Sequence, residues 1–241
     1  MTILITICAR GGSKGVPGKN IKEINGIPLI VYSINAAKKF AKKFNSTIAL
    51  STDDSEILKV CEQNGISTDY VRPTNLAGDE VGKIAVIEHL LKYQEEKDKV
   101  KYDYILDLDV TSPLRTIEDL KSAYSEISNN PEALNIISVS ECRKNPYFNL
   151  VELNADGFAS LSKKLTSNIY SRQKAPSVFE VNGSFYFYKR AFFNRGNTIA
   201  LEENKTLVYK MNHECFDVDT KEDFLYMQYL IENKKLSFSI T

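Results

Sequence analysis

Short apolar runs alternate along the first part of the chain with longer segments whose apolar residues recur every three or four positions. The short runs predict strands, and the periodic segments predict helices. This β-α-β-α order is typical of an α/β fold, a mostly parallel sheet covered by helices. We expect strands at Thr2–Cys8, Ser46–Ser51, Tyr104–Val110 and Asn135–Ser140, and helices at Pro28–Phe44, Ser55–Asn64, Val81–Glu96 and Ile117–Ser128. Later elements are a strand at Ser184–Lys189, a short strand directly before Asp217, and a closing helix at Lys221–Lys234.

The pattern changes after about Cys142, because residues 145–177 are polar, aromatic and poorly periodic. A chain of 241 residues is long enough for one large α/β domain. We therefore expect a single domain over residues 1–241 with an insertion at about 142–184, which would serve as a lid or a dimer arm.

Composition narrows the class of protein. Lys plus Arg and Asp plus Glu number 31 each, and this net charge of zero argues against a partner made of nucleic acid. No apolar run approaches the roughly 20 residues of a membrane helix, and the chain starts in a strand without a signal peptide. The four cysteines have no metal-binding spacing, and free thiols without an export signal indicate the reducing cytoplasm.

The loop after the first predicted strand, in the segment Ile7–Asn20, combines glycines with basic residues. Glycines let backbone N–H groups approach a ligand closely, and successive N–H groups form an anion site. The cations supply the charge that a polyphosphate requires. The spacing matches neither a Walker loop nor the dinucleotide fingerprint, so the triphosphate of a nucleotide is the expected ligand. The glycines are Gly11, Gly12 and Gly15, and the cations are Arg10, Lys14 and Lys19.

Carboxylates follow two later segments at a D-x-D spacing. Asp107 and Asp109 lie on one face of a predicted strand. Asp107 is expected to be structural, bonded to a neighbouring loop or paired with Arg115. Asp109 is nearer the strand end, where ligands of parallel sheets bind. Asp217 and Asp219 would form an oxygen-rich site for Mg²⁺. Asp219 or Thr220 could also cap the following helix, and both roles can hold, because one carboxylate can cap while the other binds the metal.

Two residues near the start of the third predicted helix have open roles. Asp79 either caps this helix or contacts a ligand. Lys83 lies where the helix dipole disfavours a cation, which favours an anionic neighbour, either a phosphate or a carboxylate.

Several motifs, in order over nearly the whole chain, resemble those of the CMP-sialic acid synthetase (acylneuraminate cytidylyltransferase) family. Any one of them could be chance, but the ordered set is specific. They are A-R-G-G-S-K-G-x-P-x-K-N at Ala9–Asn20, S-T-D at Ser51–Asp53, R-P-x-x-L-A-x-D at Arg72–Asp79, T-S-P-L-R at Thr111–Arg115, N-G at Asn182–Gly183 and D-V-D-T at Asp217–Thr220.

The resemblance implies a Rossmann-like nucleotidyltransferase fold with a mostly parallel sheet and a dimerisation insertion, and a homodimer. It implies that the anomeric hydroxyl of a nine-carbon 2-keto acid sugar attacks the α-phosphorus of CTP and releases pyrophosphate, with Mg²⁺ as cofactor. The implied catalytic residues are Arg10, Lys14, Lys19, Asp217 and Asp219, of which the two aspartates bind the metal. The implied CTP-binding residues are Arg10, Gly11, Gly12, Ser13, Lys14, Lys19, Asn20, Arg72, Val81 and Lys83. The implied sugar-binding residues are Asp109, Thr111, Ser112, Arg115, Arg172, Glu180 and Asn182.

Three departures from the family pattern bear on the sugar. The family usually has glutamine in place of Asp109, often serine in place of Lys83, and commonly arginine in place of Glu180. The differences at Asp109 and Glu180 argue against plain N-acetylneuraminate. The D-L-D-x-T-x-P-L-R pattern at Asp107–Arg115, Lys83 and the segment Pro146–Glu152 resemble the bacterial branch that activates N,N'-diacetyllegionaminic acid. That sugar carries an acylamino group in place of a hydroxyl, and its N–H would suit Asp109 as an acceptor.

Other functions stay open from the sequence. The enzyme could be a CMP-N-acetylneuraminate or CMP-pseudaminate synthetase, or a synthetase for Kdo. A function of another class is a nucleotide-binding regulatory module that has lost catalysis, although the Asp217 and Asp219 pair speaks against it.

Overall fold

A six-stranded sheet forms the centre of the protein in a computed structural model that describes residues 1–12, 15–78, 80–167 and 170–240. The strands lie in the order β10-β6-β9-β5-β1-β4, and β9 alone runs antiparallel to its neighbours among these six. The mostly parallel sheet predicted from the sequence is confirmed. The sheet strands are β1 Ile3–Cys8, β4 Ser46–Ser51, β5 Tyr104–Leu108, β6 Asn135–Glu141, β9 Phe179–Lys189 and β10 Thr206–Lys210. Two smaller antiparallel pairs are β2 Glu23–Ile24 with β3 Ile27–Pro28, and β7 Val151–Leu153 with β8 Ala159–Leu161.

Helices cover both faces of the sheet, because alternate residues of each strand point to opposite faces. On β1, Ile3, Ile5 and Ile7 pack in the larger core with α1, α2, α4 and α5, whereas Leu4 packs in a second core with α3. The helices are α1 Leu29–Ala41, α2 Ser55–Gln63, α3 Lys83–Asp98, α4 Ile117–Ser128 and α5 Lys221–Glu232. In the described residues, no helix has the length and apolar character needed to cross a membrane.

Short polar side chains fix where the helices near the crevice begin. Asp54 accepts hydrogen bonds from the backbone N–H groups of Glu56 and Ile57 and so caps α2. Thr220 caps α5 in a capping box with Asp223. The cap of α5 is therefore Thr220, which leaves the carboxylate of Asp219 available for other contacts.

Three elements differ from their sequence predictions in ways that affect the site or the insertion. No strand directly precedes Asp217, because β10 ends at Lys210 and a loop follows. β9 begins at Phe179, so its first residues lie within the predicted insertion. Helix α3 begins at Lys83 with Gly82 as its N-cap, whereas the sequence predicted a start at Val81. Asp79, the predicted cap, lies outside the described residues.

The segment between β6 and β9 is mostly exposed where the structure describes it. Strands β7 and β8 pair with each other and lie outside the central sheet. Several of its apolar side chains face solvent, among them Leu153 and Phe158, which are 71% and 73% exposed.

Candidate active site

The carboxyl ends of β1, β4 and β5 meet at one crevice that contains two adjoining cavities. Parallel strands place the loops that follow them at one edge of the sheet, where ligands bind. Cys8, Arg10 and Asp109 line both cavities. The smaller cavity, of about 210 Å³, is lined in addition by Arg72, Leu76, Gly78, Val81, Lys83 and Val86. The larger, of about 330 Å³, is lined in addition by Gly12, Gly15, Lys19, Asn20, Thr111, Asp217 and Asp219.

The glycine-rich loop is held by the loop after β4. The backbone N–H of Gly11 donates to Asp53 Oδ1 at 3.1 Å. A Cβ atom on Gly11 would lie 2.3 Å from Asp54 Oδ2, so the position excludes larger residues. The S-T-D motif therefore supports the loop rather than the ligand. Ser13 and Lys14, which the sequence assigns to the triphosphate, lie outside the described residues.

The other end of the glycine-rich loop contacts the Asp217–Asp219 segment. A Cβ atom on Gly15 would lie 2.0 Å from the backbone oxygen of Asp219. Lys19 Nζ donates to the backbone oxygen of Val218 at 2.5 Å and lies 3.3 Å from Asp219 Oδ1. Asn20 is buried and its Nδ2 donates to the backbone oxygen of Arg10 at 2.8 Å. The structure thus brings the basic loop and the second D-x-D segment together.

Asp217 and Asp219 differ in environment. Asp217 Oδ1 is buried and has no hydrogen-bond partner among the described residues. Burial, together with the charges of Asp109 and Asp219, raises the pKa of Asp217. The side chain of Asp219 is 74% exposed. An unpartnered buried carboxylate oxygen beside two further carboxylates is an arrangement that a divalent cation fits.

The same carboxylates do not form a complete metal site by themselves. Within the residues that the structure describes, no group of three or more His, Cys, Asp or Glu side chains is arranged to hold a metal ion. Oxygen atoms from a phosphate and from water would have to supply the remaining ligands, as is usual for Mg²⁺.

A lysine side chain contacts both carboxylates of the first D-x-D segment. Lys83 Nζ lies 2.7 Å from Asp107 Oδ2 and 2.6 Å from Asp109 Oδ2. Asp107 also accepts a hydrogen bond from Thr6 Oγ1 at 2.8 Å. The partners predicted for Asp107, a neighbouring loop or Arg115, are therefore wrong, although its structural role fits its complete burial. The anionic neighbour of Lys83 is a carboxylate pair.

The ion pairs set the charge states of this cluster. Burial raises the pKa of Asp109, but the charge and hydrogen bond of Lys83 and the hydrogen bonds of Thr111 outweigh it and lower the pKa to about 2. Burial lowers the pKa of Lys83, but both carboxylates hold it well above its usual value. Burial raises the pKa of Asp107. Asp109 and Lys83 are thus ionised at neutral pH.

Arg72 and Val81 lie at the smaller cavity, as the CTP assignment requires. Arg72 is 6% exposed, and its Nε and Nη2 donate to Ser51 Oγ at 2.9 Å and to Ser51 O at 2.7 Å. This bidentate contact with the end of β4 fixes the guanidinium plane at the cavity wall.

Three residues assigned to the sugar are buried supports instead. The guanidinium of Arg115 is completely buried, and it donates to Ser33 Oγ at 3.0 Å, to Ser184 Oγ at 2.9 Å and to two backbone oxygens, those of Ser112 and Asp109. Ser112 donates to the backbone oxygen of Asn182 at 2.8 Å. The buried side chain of Asn182 accepts from Ser138 Oγ at 2.7 Å and donates to Ser140 Oγ at 2.9 Å. These side chains are consumed by internal hydrogen bonds, so they position the end of β5 and have no surface for a ligand.

Arg172 and Glu180 do not reach the crevice in this structure. Arg172 Nη2 donates to the backbone oxygen of Cys142 at 2.6 Å and lines a separate cavity of about 450 Å³. Glu180 is an exposed residue of β9 opposite Ser140 and lines neither site cavity. Within one chain, their assignment to the sugar finds no geometric support.

The sequence analysis missed Cys8 as a lining residue. Cys8 ends β1 and lies between the two cavities, where burial raises the pKa of its thiol to about 12. The thiol is therefore a neutral wall of the crevice. Its position at the carboxyl end of the first predicted strand was the available signal. Leu76, Gly78 and Val86 were also missed, and no motif marked them as lining residues.

Comparison with known proteins agrees with this geometry. Residues 4–237 match the family model described as cytidylyltransferase. The chain is 38% identical to post-translational flagellin modification protein B of Campylobacter coli, over 97% of each chain. It is 37% identical to CMP-N,N'-diacetyllegionaminic acid synthase of Campylobacter jejuni, over 98% of this chain and 97% of that protein.

The fold is also that of a solved nucleotidyltransferase. The structure of CMP:2-keto-3-deoxy-manno-octonic acid synthetase complexed with CTP superposes with a TM-score of 0.68 at 16% identity, over 97% of this chain and all of the other. The fold and family predicted from the motifs are confirmed. The chain belongs to the cytidylyltransferase family and is a nucleotidyltransferase.

Proposed function

We propose that this cytidylyltransferase uses CTP to activate N,N'-diacetyllegionaminic acid, a nonulosonic acid, and releases pyrophosphate. In this reaction the anomeric oxygen of the sugar bonds to the α-phosphorus of CTP, and the bond from that phosphorus to the β-phosphate bridging oxygen breaks. The hydroxyl proton leaves to solvent or to a nearby base, and the products are the CMP-sugar and pyrophosphate.

The observation that carries this proposal is the pair of adjoining cavities that share Arg10 and Asp109. The smaller one has Leu76, Val81 and Val86 on its wall beside the fixed guanidinium of Arg72, which suits a nucleoside. The larger one has the basic loop on one side and carboxylates on the other, which suits phosphates and a cation. An α-phosphorus would lie where the two cavities meet.

Residues of the glycine-rich loop would bind and orient the triphosphate. Lys19 is tied to the backbone of Val218, so its ammonium group is held at a fixed place beside the larger cavity. Phosphoryl transfer depends mainly on such positioning and on charge stabilisation. We propose that Arg10, Lys14 and Lys19 stabilise the negative charge that develops on the leaving pyrophosphate.

Asp217 and Asp219 are the residues that would hold Mg²⁺ in this proposal. The unpartnered buried oxygen of Asp217 supports the assignment, because an ionised oxygen buried without a partner is costly. When bound, Mg²⁺ would supply neutralising charge to the phosphates and acidify a coordinated hydroxyl.

We propose that Asp109 selects the sugar. Its Oδ1 accepts from the backbone N and Oγ1 of Thr111, and its Oδ2 accepts from Lys83, which uses three of about four acceptor positions of a carboxylate. The remaining position suits one N–H donor, such as the acylamino group of legionaminic acid. A relative named for this sugar at 37% identity supports the same choice.

Pyrophosphate release measured with a panel of sugars tests the proposed function. N,N'-diacetyllegionaminic acid should give the highest kcat/KM, ahead of N-acetylneuraminic acid, pseudaminic acid and Kdo. Preference for pseudaminic or neuraminic acid would replace the sugar in the proposal, and no turnover with any of the four would refute it. Asp109→Gln should lower the ratio of kcat/KM for the legionaminic acid to kcat/KM for the neuraminic acid about tenfold, because one polar contact with the sugar is lost. An unchanged preference would remove Asp109 from sugar selection.

We also propose that the exposed segment between β6 and β9 forms a homodimer interface. Leu153 and Phe158 expose apolar surface there that a second copy would bury. Phe158→Ser should shift the sedimentation coefficient from dimer to monomer, whereas Val71→Ser, at an exposed apolar residue in the loop after α2, should leave it unchanged. A wild-type protein that sediments as a monomer at micromolar concentration would contradict this assembly.

A further inference from the structure

Lys83 lies between the two carboxylates of β5 and touches both. Its Nζ is 2.7 Å from Asp107 Oδ2 and 2.6 Å from Asp109 Oδ2. Asp107 is completely buried, and the side chain of Asp109 is 22% exposed. The ammonium group therefore lies in contact with both carboxylates and supplies the positive charge between them.

The electrostatic cost of placing the Lys83 ammonium group at the start of a helix is offset by the two carboxylates. Lys83 is the first residue of α3, and the positive end of a helix dipole disfavours a cation. The ammonium also lies 5.6 Å from the ring centre of Tyr186, whose face attracts a cation. Without a cation, two buried carboxylates so close together would repel each other, and one would take up a proton or turn away.

Direct binding of Lys83 to a phosphate, one of the two anionic neighbours expected at the start of this helix, fits this geometry poorly. An ammonium group has three N–H donors, and two of them face Asp107 and Asp109. The ionised carboxylate of Asp109 balances the charge of Lys83, so the ammonium group attracts a triphosphate only weakly. Lys83 thus acts on the crevice through the carboxylates it holds.

We propose that Lys83 is a built-in cation that fixes the Asp109 carboxylate for contact with the acceptor sugar, and so is a positioning residue for sugar selection. This inference rests on the proposed function. In this arrangement Lys83 holds Asp107 and Asp109, and Asp217 and Asp219 remain for the divalent cation.

Thr111 completes the fixation of Asp109 from the other side. Its backbone N and its Oγ1 donate to Asp109 Oδ1 at 3.1 and 2.9 Å. Each oxygen of Asp109 is thereby held by a different element, Oδ2 by α3 and Oδ1 by the loop after β5. A carboxylate held in this way presents its remaining acceptor position in one direction, so it favours a donor hydrogen that lies in that direction.

The test is a double-mutant cycle of Lys83→Met and Asp109→Gln, read out separately for the sugar and for CTP. Lys83→Met should lower kcat/KM for the turned-over sugar at least tenfold, while the CTP dissociation constant, measured by calorimetry without sugar, changes less than threefold. In the Asp109→Gln background, Lys83→Met should lower kcat/KM less than threefold, because the two residues act as a unit. Lys83→Arg keeps the charge and should recover part of the activity.

A second variant guards against a failure to fold. Lys83→Met leaves two buried carboxylates without a cation, whereas Lys83→Met with Asp107→Asn leaves one. Both variants are checked by thermal unfolding, and the double variant should fold and still show the selective loss in kcat/KM for the sugar.

The outcomes separate this inference from the proposed function. A different preferred sugar, or no turnover, appears already in the wild-type protein and concerns the proposed function. A tenfold or larger loss of CTP affinity in Lys83→Met would assign Lys83 to the nucleotide and overturn the inference. Independent, additive effects of Lys83→Met and Asp109→Gln on kcat/KM would overturn it as well.

Discussion

The two D-x-D segments, Asp107–Asp109 and Asp217–Asp219, look alike in the sequence and differ in the structure. The first lies at the end of a buried strand, and a lysine lies between its carboxylates. The second lies in a loop before α5, and it keeps a buried oxygen without a partner among the described residues. Spacing therefore does not define a metal site. What distinguishes the pairs is whether a cation of the fold reaches both carboxylates, as Lys83 does, or only one, as Lys19 does at Asp219.

The strongest test of this difference is Asp217→Asn. It should lower turnover about 100-fold or more, because the proposed site for a divalent cation loses a ligand. The pKa of Asp217 is raised by burial, so its ionised form is disfavoured in the folded state, and stability falls as pH rises through that pKa. Asp217→Asn should therefore raise the thermal midpoint at neutral pH.

Asp219→Asn is the matched variant, because its carboxylate is 74% exposed. It should lower turnover without raising the thermal midpoint. Pyrophosphate release and thermal unfolding measure both effects. Near-normal turnover of Asp217→Asn would remove this segment from the chemistry.

Gly15→Ala should disturb the same segment without changing a carboxylate. The new Cβ would lie 2.0 Å from the backbone oxygen of Asp219, so the loop and α5 must separate. We expect a loss of about 2 kcal/mol in the free energy of unfolding and a raised KM for CTP. A Cβ on Gly12 meets no atom within 4 Å, so Gly12→Ala should cost less than about 0.5 kcal/mol. Equal losses in denaturant titrations would contradict the close contact.

His213→Gln tests how the loop with Asp217 and Asp219 is held. His213 Nε2 lies 2.8 Å from Asp119 Oδ2, and Nδ1 lies 3.1 Å from the backbone oxygen of Glu214. Both partners are acceptors, so a protonated ring satisfies both. Burial lowers the pKa of His213, but these contacts outweigh it and raise the pKa, whereas the pKa of Asp119 is lowered against burial by His213 and Thr116.

The sign of the pH effect follows from these shifts. The stability contributed by His213 is full below its unfolded pKa of about 6.5 and is lost as pH rises through the folded pKa. The stability contributed by Asp119 is present above its unfolded pKa of about 3.9. His213→Gln should thus cost about 1 kcal/mol of unfolding free energy at pH 5.5 and less at pH 9.

The smallest effect is expected for Asp107→Asn. Asp107 is completely buried and lines neither site cavity, and Lys83 would keep its contact with Asp109. We expect kcat and KM within about threefold of the wild-type values. A loss as large as that of Asp217→Asn would erase the distinction between the two segments.

Most of the fold could be predicted from the sequence because hydrophobic periodicity and helix caps act locally. The strand Ser46–Ser51 and the helix Ile117–Ser128 match their predictions at both ends. The loop before Asp217 could not be predicted in this way. Its conformation depends on contacts with the glycine-rich loop after β1, with α4 and with the loop after β5, which lie far away in the chain.

The sequence predicted which residues line the crevice more completely than it predicted what each residue does there. The fold brings together in one crevice four residues that the motifs assigned to the site, namely Arg10, Lys19, Asp109 and Asp217. Arg115 has the same kind of side chain as Arg10, yet it is buried and spent on internal hydrogen bonds. Sequence position does not reveal whether a guanidinium faces a cavity or the core.

The sequence by itself determined the α/β architecture, the glycine-rich basic loop, the two carboxylate pairs and the cytidylyltransferase family. These follow from local periodicity and from ordered motifs. Only the tertiary structure decided which carboxylates are already neutralised and which are open to a cation. Lys83 is 24 residues before Asp107 in the chain, and packing of α3 against the sheet brings its ammonium group to 2.7 Å from that carboxylate.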